Sequence, residues 1–384
     1  MNLSMLRLPG LTVLVFLFVA PSTFPQGSLT PPDAPGPTMK ALDQLEARTI
    51  VNATNTPGDK TNTFIISQPG SYYLTGNIIG ESEKHGISIQ ADDVTLDLNG
   101  FALSSGGGGA VRGVDVLVAQ KNLCLRNGTI RGWTDGGVRA ELASNTLAEK
   151  LRLTDNMGAD GLSLGNGSAR DCVATGNGTG FILGNGAQIR DCAATANTID
   201  GFVTGDSAQL TGCISTENTG VGFNCASFVT LSDCTASRNF GDAGIKVLGG
   251  SSVIHCNGSR NIPLGSGIST GDGSTVADCT ANNNGVFGIG TGYSTVRSCT
   301  ANANGSHGIS AFACVVTGCT SNNNGGQGIV AIWSSITKCS ASSNGQHGIL
   351  GDSGVVALCQ ATLNQDPENI SAQGSARTGN NPAP

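Results

Sequence analysis

Small, apolar and polar positions recur in a fixed order along most of this chain. A cysteine is followed five residues later by an asparagine and then by Gly-Ile or Gly-Phe, and from residue 279 to residue 364 the pattern repeats every 20 residues. Upstream, the step is 20 to 23 residues. A fixed short period indicates stacked copies of one supersecondary unit, each unable to bury its apolar side alone. The cysteine row is Cys172, Cys192, Cys213, Cys234, Cys256, Cys279, Cys299, Cys319, Cys339 and Cys359.

Three rows of small or apolar residues within each repeat predict three short strands. The residue two positions after the cysteine is small, as at Ala281 and Ala301, and the residue between them is polar. This alternation is typical of a strand with a narrow inward face. Equivalent strands are expected to pair in parallel from coil to coil, about 4.8 Å apart along the axis. Gly, Asn, Ser and Thr occur every few positions and favour turns, which argues against helical repeats.

The asparagine row predicts a hydrogen-bonded ladder at one corner of the coil. Asparagine tolerates the left-handed backbone conformation, and its side-chain amide can bond to the next asparagine along the stack. This explanation is structural and requires no function. The row runs through Asn177, Asn197, Asn218, Asn239, Asn261, Asn284, Asn304, Asn324, Asn344 and Asn364.

Three upstream segments carry a family resemblance. They are Gly70-Ser-Tyr-Tyr-Leu-Thr-Gly76, the stretch 86–100 with Val-Thr-Leu-Asp-Leu-Asn-Gly at its end, and Asn127-Gly-Thr-Ile-Arg-Gly-Trp133. With the repeats, they resemble the right-handed parallel β-helix of the pectin-lyase-like group and look like secreted bacterial β-helix proteins. The resemblance covers about residues 62 to 364. It implies an all-β fold, a single right-handed parallel β-helix solenoid of about 14 coils with a short N-terminal cap.

The two ends of the chain differ from the repeats. Residues 1–20 have a basic residue followed by a short apolar core, which is typical of a secretory signal peptide rather than of a lasting membrane anchor. Residues 21–48 are expected to form a flexible, Pro-rich leader and a short capping helix over 39–48. The β-helix is assigned to 49–364, and 365–384 to a polar C-terminal tail. We therefore expect a secreted or periplasmic protein.

Charge and cysteine content exclude several classes of function. The net charge is −7, charged residues make up 12% of the chain, and Lys and Arg are not clustered, which argues against nucleic-acid binding. Of the 13 cysteines, ten belong to the inward row, where they are expected to be buried free thiols because their Cβ vectors run parallel. No two cysteines have zinc-ligand spacing. We expect no metal or cofactor, except Ca²⁺ if the protein is lyase-like.

The first candidate site is a row of charges beside the cysteines. Asp171 and Asp191 lie one coil apart, and Arg170 and Arg190 precede them. Two such carboxylates would raise one another's pKa or share a cation, and paired acids serve glycoside hydrolysis or β-elimination. The alternative is a corner ladder of Arg and Asp that neutralises itself.

The second candidate is a strip on one face near the C-terminal end. Imidazole and amide side chains precede Gly-Ile on successive coils, aromatic residues lie across the strand, and the outward positions between them are small or apolar. Such a strip could hold an extended sugar chain along the axis, with aromatic faces stacked on sugar rings. The alternative is decoration of the corners without function. The candidate residues are Tyr293, His307, Phe312, Gln327, Trp333 and His347.

Three functions remain open from the sequence. The first is an exported, monomeric binding or structural rod that contacts polysaccharide or cell-surface glycan. The second is a polysaccharide lyase, hydrolase or epimerase with a diverged site, although the polygalacturonase motifs are absent. The third is a periplasmic metal-handling β-helix, which four His and four Met residues make less favourable. The near-uniform coils favour the rod.

Overall fold

A computed structural model describes residues 47–109, 111–379 and 381–382 of this chain. These residues form strands and no helix, arranged as a single right-handed parallel β-solenoid of about 16 turns. The predicted fold class is therefore confirmed. The count of about 14 coils was too low, because the coils before residue 150 and after residue 364 lack the Cys and Asn markers. The predicted signal peptide and leader, and all but the last two residues of the capping helix, lie outside the described residues.

The strands before residue 171 are irregular in length. They are β1 Thr49–Ile50, β2 Asn62–Ile66, β3 Gly70–Tyr73, β4 Ile78–Ile79, β5 His85–Ile89, β6 Val94–Asp97, β7 Ala102–Ser104, β8 Val114–Asp115, β9 Cys124–Arg131, β10 Val138–Thr154 and β11 Leu162–Arg170.

The next strands are mostly three residues long. They are β12 Val173–Thr175, β13 Phe181–Leu183, β14 Gln188–Arg190, β15 Ala193–Thr195, β16 Phe202–Thr204, β17 Gln209–Thr211, β18 Ile214–Thr216, β19 Phe223–Cys225, β20 Thr230–Ser232, β21 Thr235–Ser237, β22 Ala243–Val247, β23 Ser252–Ile254, β24 Asn257–Ser259, β25 Ser266–Thr270 and β26 Thr275–Ala277.

The last strands continue beyond the segment that the sequence assigned to the β-helix. They are β27 Ile289–Gly292, β28 Thr295–Arg297, β29 Ile309–Phe312, β30 Val315–Thr317, β31 Thr320–Asn322, β32 Ile329–Ile332, β33 Ser335–Thr337, β34 Ser340–Ser342, β35 Ile349–Asp352, β36 Val355–Ala357, β37 Gln360–Thr362, β38 Ile370–Gln373, β39 Ala376–Thr378 and β40 Asn381–Pro382. The coils thus extend into residues that were expected to form a polar tail.

Equivalent strands of successive coils pair in parallel and build three faces. Face A contains the strand that follows each Gly-Ile or Gly-Phe, for example β27, β29, β32 and β35, with Ile289, Ile309, Ile329 and Ile349 in register. Face B contains the strand that precedes each cysteine, for example β28 and β30. Face C contains the strand that follows each cysteine, for example β31 and β34. The three predicted strands therefore form in most coils, but after Cys279 and Cys299 face C is reduced to the single bridging residues Thr280 and Thr300.

The interior is filled by rows of identical or similar side chains. Phe202 is fully buried between Phe181 and Phe223, with ring centroids 4.8 and 4.9 Å apart and nearly parallel planes. All ten thiols of the cysteine row are buried and free, as predicted. Each thiol of the row has a backbone carbonyl within hydrogen-bond reach; Cys192 Sγ donates to the oxygen of Arg190 at 3.3 Å. The row thus acts as small apolar filler.

The asparagine ladder forms as predicted and explains the glycine row. The amide of Asn304 donates to Asn324 Oδ1 at 2.9 Å and to the oxygen of Ala281 at 3.0 Å, and its own Oδ1 accepts from the backbone and side chain of Asn284. A Cβ at Gly288 would lie 2.7 Å from Asn304 Nδ2. Glycine is therefore required wherever the next coil supplies a ladder asparagine.

The ladder ends at a position that the repeat pattern does not predict. Asn369 stands where earlier coils have the glycine, since Ile349 pairs with Ile370. Its Oδ1 accepts hydrogen bonds from the backbone and the side chain of Asn364, at 3.1 and 2.9 Å. A side chain thus occupies the place that the next ladder asparagine would need, and it satisfies the last one.

Candidate functional site

Aromatic residues occupy a left-handed corner where face A ends. Tyr293 and Trp333 have φ values of 46° and 53°, and they are 58% and 61% exposed. The equivalent corner in neighbouring coils carries Ala313, Ser353 or, further upstream, Gly250. A residue with a Cβ costs about 1–2 kcal/mol in this conformation. Large exposed rings at such positions recover little of that cost through burial.

The corner rings join a third aromatic side chain that projects outward from face A. Phe312, at the end of β29, lies between them, with its ring centroid 5.5 Å from that of Tyr293 and 5.0 Å from that of Trp333. The ring planes are tilted by 74° and 51°. The three predicted aromatic residues therefore form one continuous edge that follows the solenoid axis.

The opposite edge of face A carries the imidazole row. The ring of His307 is stacked on Phe287, with centroids 5.5 Å apart and planes within 10°. His307 Nδ1 accepts a hydrogen bond from the backbone N–H of Gln327 at 3.1 Å. Burial also lowers the pKa of His307. The ring is therefore neutral at pH 7, and Nε2 carries its proton.

His347 continues this edge but is held in a different way. Its Nδ1 lies 2.8 Å from the carbonyl oxygen of Glu368 and 3.4 Å from Asp366 Oδ1. Because these acceptors lie beyond the C-terminal end of the row, the Nδ1–H of His347 points away from the strip.

An open groove lies between Phe287 and Phe312. His307 contacts Phe287, and Tyr293 and Trp333 contact Phe312, so these three residues flank the groove without lining it. Its volume is about 380 Å³, its floor includes Gly290, Ser310 and Val330, and its sides include Phe287 and Phe312. Sequence reasoning missed Phe287, although it occupies the position of His307 one coil earlier. The arrangement of apolar sides and a few polar groups is typical of ligand sites.

The sequence of this chain matches the model of a known protein family. The family model for the right-handed β-helix region matches residues 62–227 and 219–360. The chain belongs to the right-handed β-helix family. The resemblance seen in the sequence is thus confirmed at the level of the family.

Several solved structures are similar to this β-helix protein. The A-module of Azotobacter vinelandii mannuronan C-5 epimerase AlgE6 is 15% identical, with a TM-score of 0.39 over 82% of this chain and 91% of that one. Pectate lyase Pel9A is 12% identical, with a TM-score of 0.35 over 67% and 72%. Dettilon tailspike protein is 11% identical, with a TM-score of 0.35 over 80% and 60%. No curated protein sequence matches. These values carry no inference about function.

The first candidate pair lies at a different corner of the β-helix. Asp171 and Asp191 have φ values of 53° and 52°, are exposed, and lie just before the cysteine row. Neither carboxylate takes part in an ion pair among the described residues. Further along the same row, Asp278 pairs with Arg297 at 3.2 Å. The self-neutralising corner ladder therefore forms at that coil and not around Asp171.

Arg170 instead belongs to a column of alternating charges on face B. Glu149 lies between Arg170, with which it forms a short ion pair, and Arg126 at 3.9 Å, and Arg126 also pairs with Asp97 at 3.0 Å. Asp97 and Glu149 are buried beneath the arginines. Arg190 is in register with Arg170 and forms no ion pair within the described residues. Asp97 points outward, but arginine side chains cover it.

A second group of charges lies on face A, toward the N-terminal end. Asp135, Arg139, Glu141 and Asp160 line a cavity of about 190 Å³. Burial, and then the nearby Glu141 carboxylate, raise the pKa of Asp160 to about 6, while a hydrogen bond from Thr179 opposes the shift. Sequence reasoning missed this group. The available signal was that Asp160 immediately precedes Gly-Leu, as the imidazoles precede Gly-Ile.

The described residues contain neither a metal-binding cluster nor a membrane-spanning helix. No three His, Cys, Asp or Glu side chains in the described part are grouped so as to hold a metal ion. Over the same residues, no helix is long and apolar enough to cross a membrane.

Proposed function

We propose that this protein is an exported β-helix that binds an extended glycan in the groove on face A. The observation that supports this most strongly is the pair of exposed aromatic residues, Tyr293 and Trp333, at left-handed corners. Alanine and serine at the equivalent corners of neighbouring coils pay a similar conformational cost, because they also have a Cβ, but they expose no ring. The fold gains little from these two rings. A ligand that stacks on them gives a reason for their presence.

The geometry of the groove suits a linear chain of sugars. Tyr293 and Trp333 lie two coils apart, about 9.6 Å along the axis by strand spacing. The groove runs in the same direction, because Gly290, Ser310 and Val330 are register partners, so an extended sugar chain can pass the three aromatic residues in turn. Ser310 on the floor and the Nε2–H of His307 at the edge are hydrogen-bonding groups for sugar hydroxyls.

The test is a glycan array probed with the wild-type protein and two variants. Trp333→Ala removes one ring from the groove edge. Phe240→Ala is the control, because Phe240 is 54% exposed and lies at the ladder corner, one residue after Asn239, away from the aromatic edge. We expect Trp333→Ala to weaken binding at least tenfold, the effect of about 1.4 kcal/mol at an aromatic hot spot. Phe240→Ala should bind like the wild type.

Two results would contradict the proposal. One is wild-type protein that binds no glycan on the array. The other is binding that Trp333→Ala and Phe240→Ala leave equally strong, since the ligand would then lie outside the aromatic edge.

A second candidate function is a polysaccharide lyase, hydrolase or epimerase. The raised pKa of Asp160, in a cavity with Glu141 and Arg139, favours it, because a carboxyl group with a pKa near 6 can both donate and accept a proton close to neutral pH. The test is the release of reducing or unsaturated ends from a polysaccharide panel. Loss of that activity in Asp160→Asn would assign it to this cavity, and loss in Asp171→Asn with Asp191→Asn would assign it to the corner pair.

A further inference from the structure

We propose that the groove on face A takes an uncharged glycan and discriminates against acidic polysaccharides. This inference rests on the proposed glycan binding and specifies the substrate class of that same site. It follows from the charges in and around the groove.

The lining of the groove contains no ionisable side chain. It consists of serine, threonine, glycine, alanine, valine, isoleucine and phenylalanine residues drawn from the coils between 266 and 332. A bound uronate chain would bury its carboxylates against this surface with no cation to pair with them. Leaving a charged group without a partner on a partly apolar surface is unfavourable.

Two carboxylates adjoin the outward row of the groove. A Cβ on Gly292 would lie 3.0 Å from Asp272 Oδ1, so the carboxylate of Asp272 lies against the outward row that continues into Phe312. Asp352 is the register neighbour of Ile332 at the other end of that row. A polyanion along the groove would thus meet two like charges, which repel it.

The histidine at the groove edge does not offset these charges. The Nδ1 of His307 accepts a backbone hydrogen bond, and burial lowers the pKa of the ring. Protonation would convert Nδ1 to a donor and break that bond. His307 therefore offers a neutral N–H donor, which suits a hydroxyl oxygen rather than requiring a carboxylate.

One cation adjoins the groove, since Lys246 is the register neighbour of Ser269, but its Nζ is paired with Asp242 Oδ2 at 2.6 Å. The other cations of these coils lie elsewhere. Between residues 266 and 352 the sequence contains only Arg297 and Lys338 as Lys or Arg residues. Arg297 ends β28 on face B and pairs with Asp278 at 3.2 Å, while Lys338 lies at the corner before Cys339. Neither lines the groove. Recognition of carboxylates normally uses Arg or Lys, so the groove lacks the groups that an acidic chain would need.

The experiment compares pairs of oligosaccharides that differ only at C6. Cellohexaose and mannohexaose carry a hydroxymethyl group where the hexamers of β-1,4-glucuronate and β-1,4-mannuronate carry a carboxylate. Dissociation constants are measured by calorimetry at two salt concentrations, with the full-length protein, Trp333→Ala and Ser310→Lys. The last variant places a cation on the groove floor.

We expect a neutral hexamer to bind at least tenfold more tightly than its uronate counterpart, with little dependence on salt. Trp333→Ala should weaken that binding, and Ser310→Lys should narrow the difference by improving uronate binding at low salt. Uronate binding that equals or exceeds neutral binding, and that Trp333→Ala removes, would overturn the inference while leaving the proposed glycan binding intact. Failure to bind any glycan on the array would remove both.

Discussion

Replacing one ladder asparagine is expected to destabilise the coils on both sides of it. Asn304 is buried, and its side chain makes four hydrogen bonds to three residues. In Asn304→Ala, the backbone N–H of Asn284 and the carbonyl oxygen of Ala281 lose these partners. The amide of Asn284 keeps its bond to Gly258, at 2.9 Å, so it is not left without an acceptor.

The expected cost follows from the two abandoned groups. A buried donor or acceptor left unsatisfied costs about 1–3 kcal/mol, which gives about 2–6 kcal/mol for the pair. The matched control is Asn323→Ala. Asn323 is exposed, with a φ of 57°, and Ala303 occupies the equivalent corner one coil earlier with a φ of 55°. The same substitution there leaves no buried group unsatisfied and should cost about 1 kcal/mol or less, because alanine adopts the left-handed conformation less readily than asparagine.

Hydrogen exchange followed by mass spectrometry is the appropriate assay, because long repeat arrays can unfold in parts and a single midpoint would then mislead. The free energy of opening is compared for peptides that cover residues 276–310. Protection should fall in these peptides for Asn304→Ala and stay at the wild-type level for Asn323→Ala. Equal protection in the two variants would show that the side-chain hydrogen bonds of Asn304 do not stabilise the coil.

Three further predictions concern packing, pH and thiols. Gly288→Ala should lower thermal stability by several degrees, because its Cβ would lie 2.5 Å from a carbonyl oxygen of the next coil, whereas Gly290→Ala meets nothing closer than 3.6 Å and should be tolerated. The pKa of Asp160 is raised from 3.8 to about 6, so the ionisation of this carboxyl group should lower the free energy of unfolding as the pH rises through that interval. Asp160→Asn should therefore be more stable than the wild type in urea at pH 7.5 and gain nothing at pH 3.5; a gain confined to acidic pH would contradict this sign. Titration with a thiol reagent should detect at most one group in the native protein, the partly exposed Cys124, and all 13 after denaturation; more than one native thiol would contradict the burial of the row.

The sequence was sufficient for the regular coils because each inward row repeats a single residue type. The Cys279, Asn284 and Ile289 positions recur at a constant step, so strand register follows directly from counting. The aromatic edge was found for the same reason, since Tyr293 and Trp333 fall on one row. Phe287 was missed because it is aromatic in a row of imidazole and amide side chains, although it lies at the regular position of that row.

The upstream charges could not be placed from the sequence. In β10 the pairing with β11 shifts register between Ala140 and Ser144 and again before Thr146. A shift of one residue reverses which side chains point outward. Asp97, Arg126 and Glu149 are register partners on face B but lie 29 and 23 residues apart in the chain, so their alternation has no constant period.

The raised pKa of Asp160 could not be predicted from the sequence either. Its burial and the repulsion from Glu141 depend on side chains contributed by neighbouring strands and corners. Such a value follows only from the assembled coil. The end of the ladder is a further case, because Asn369 departs from the repeat at a single position.

The corner that carries Tyr293 and Trp333 has a consequence for how binding could diversify. Ala313 and Ser353 adopt the same backbone conformation as the two aromatic residues. Changing the residue at this corner therefore adds or removes a contact without rebuilding any strand. Each coil offers one such position, so a lineage of these proteins could lengthen, shorten or relocate its ligand track through single codon changes.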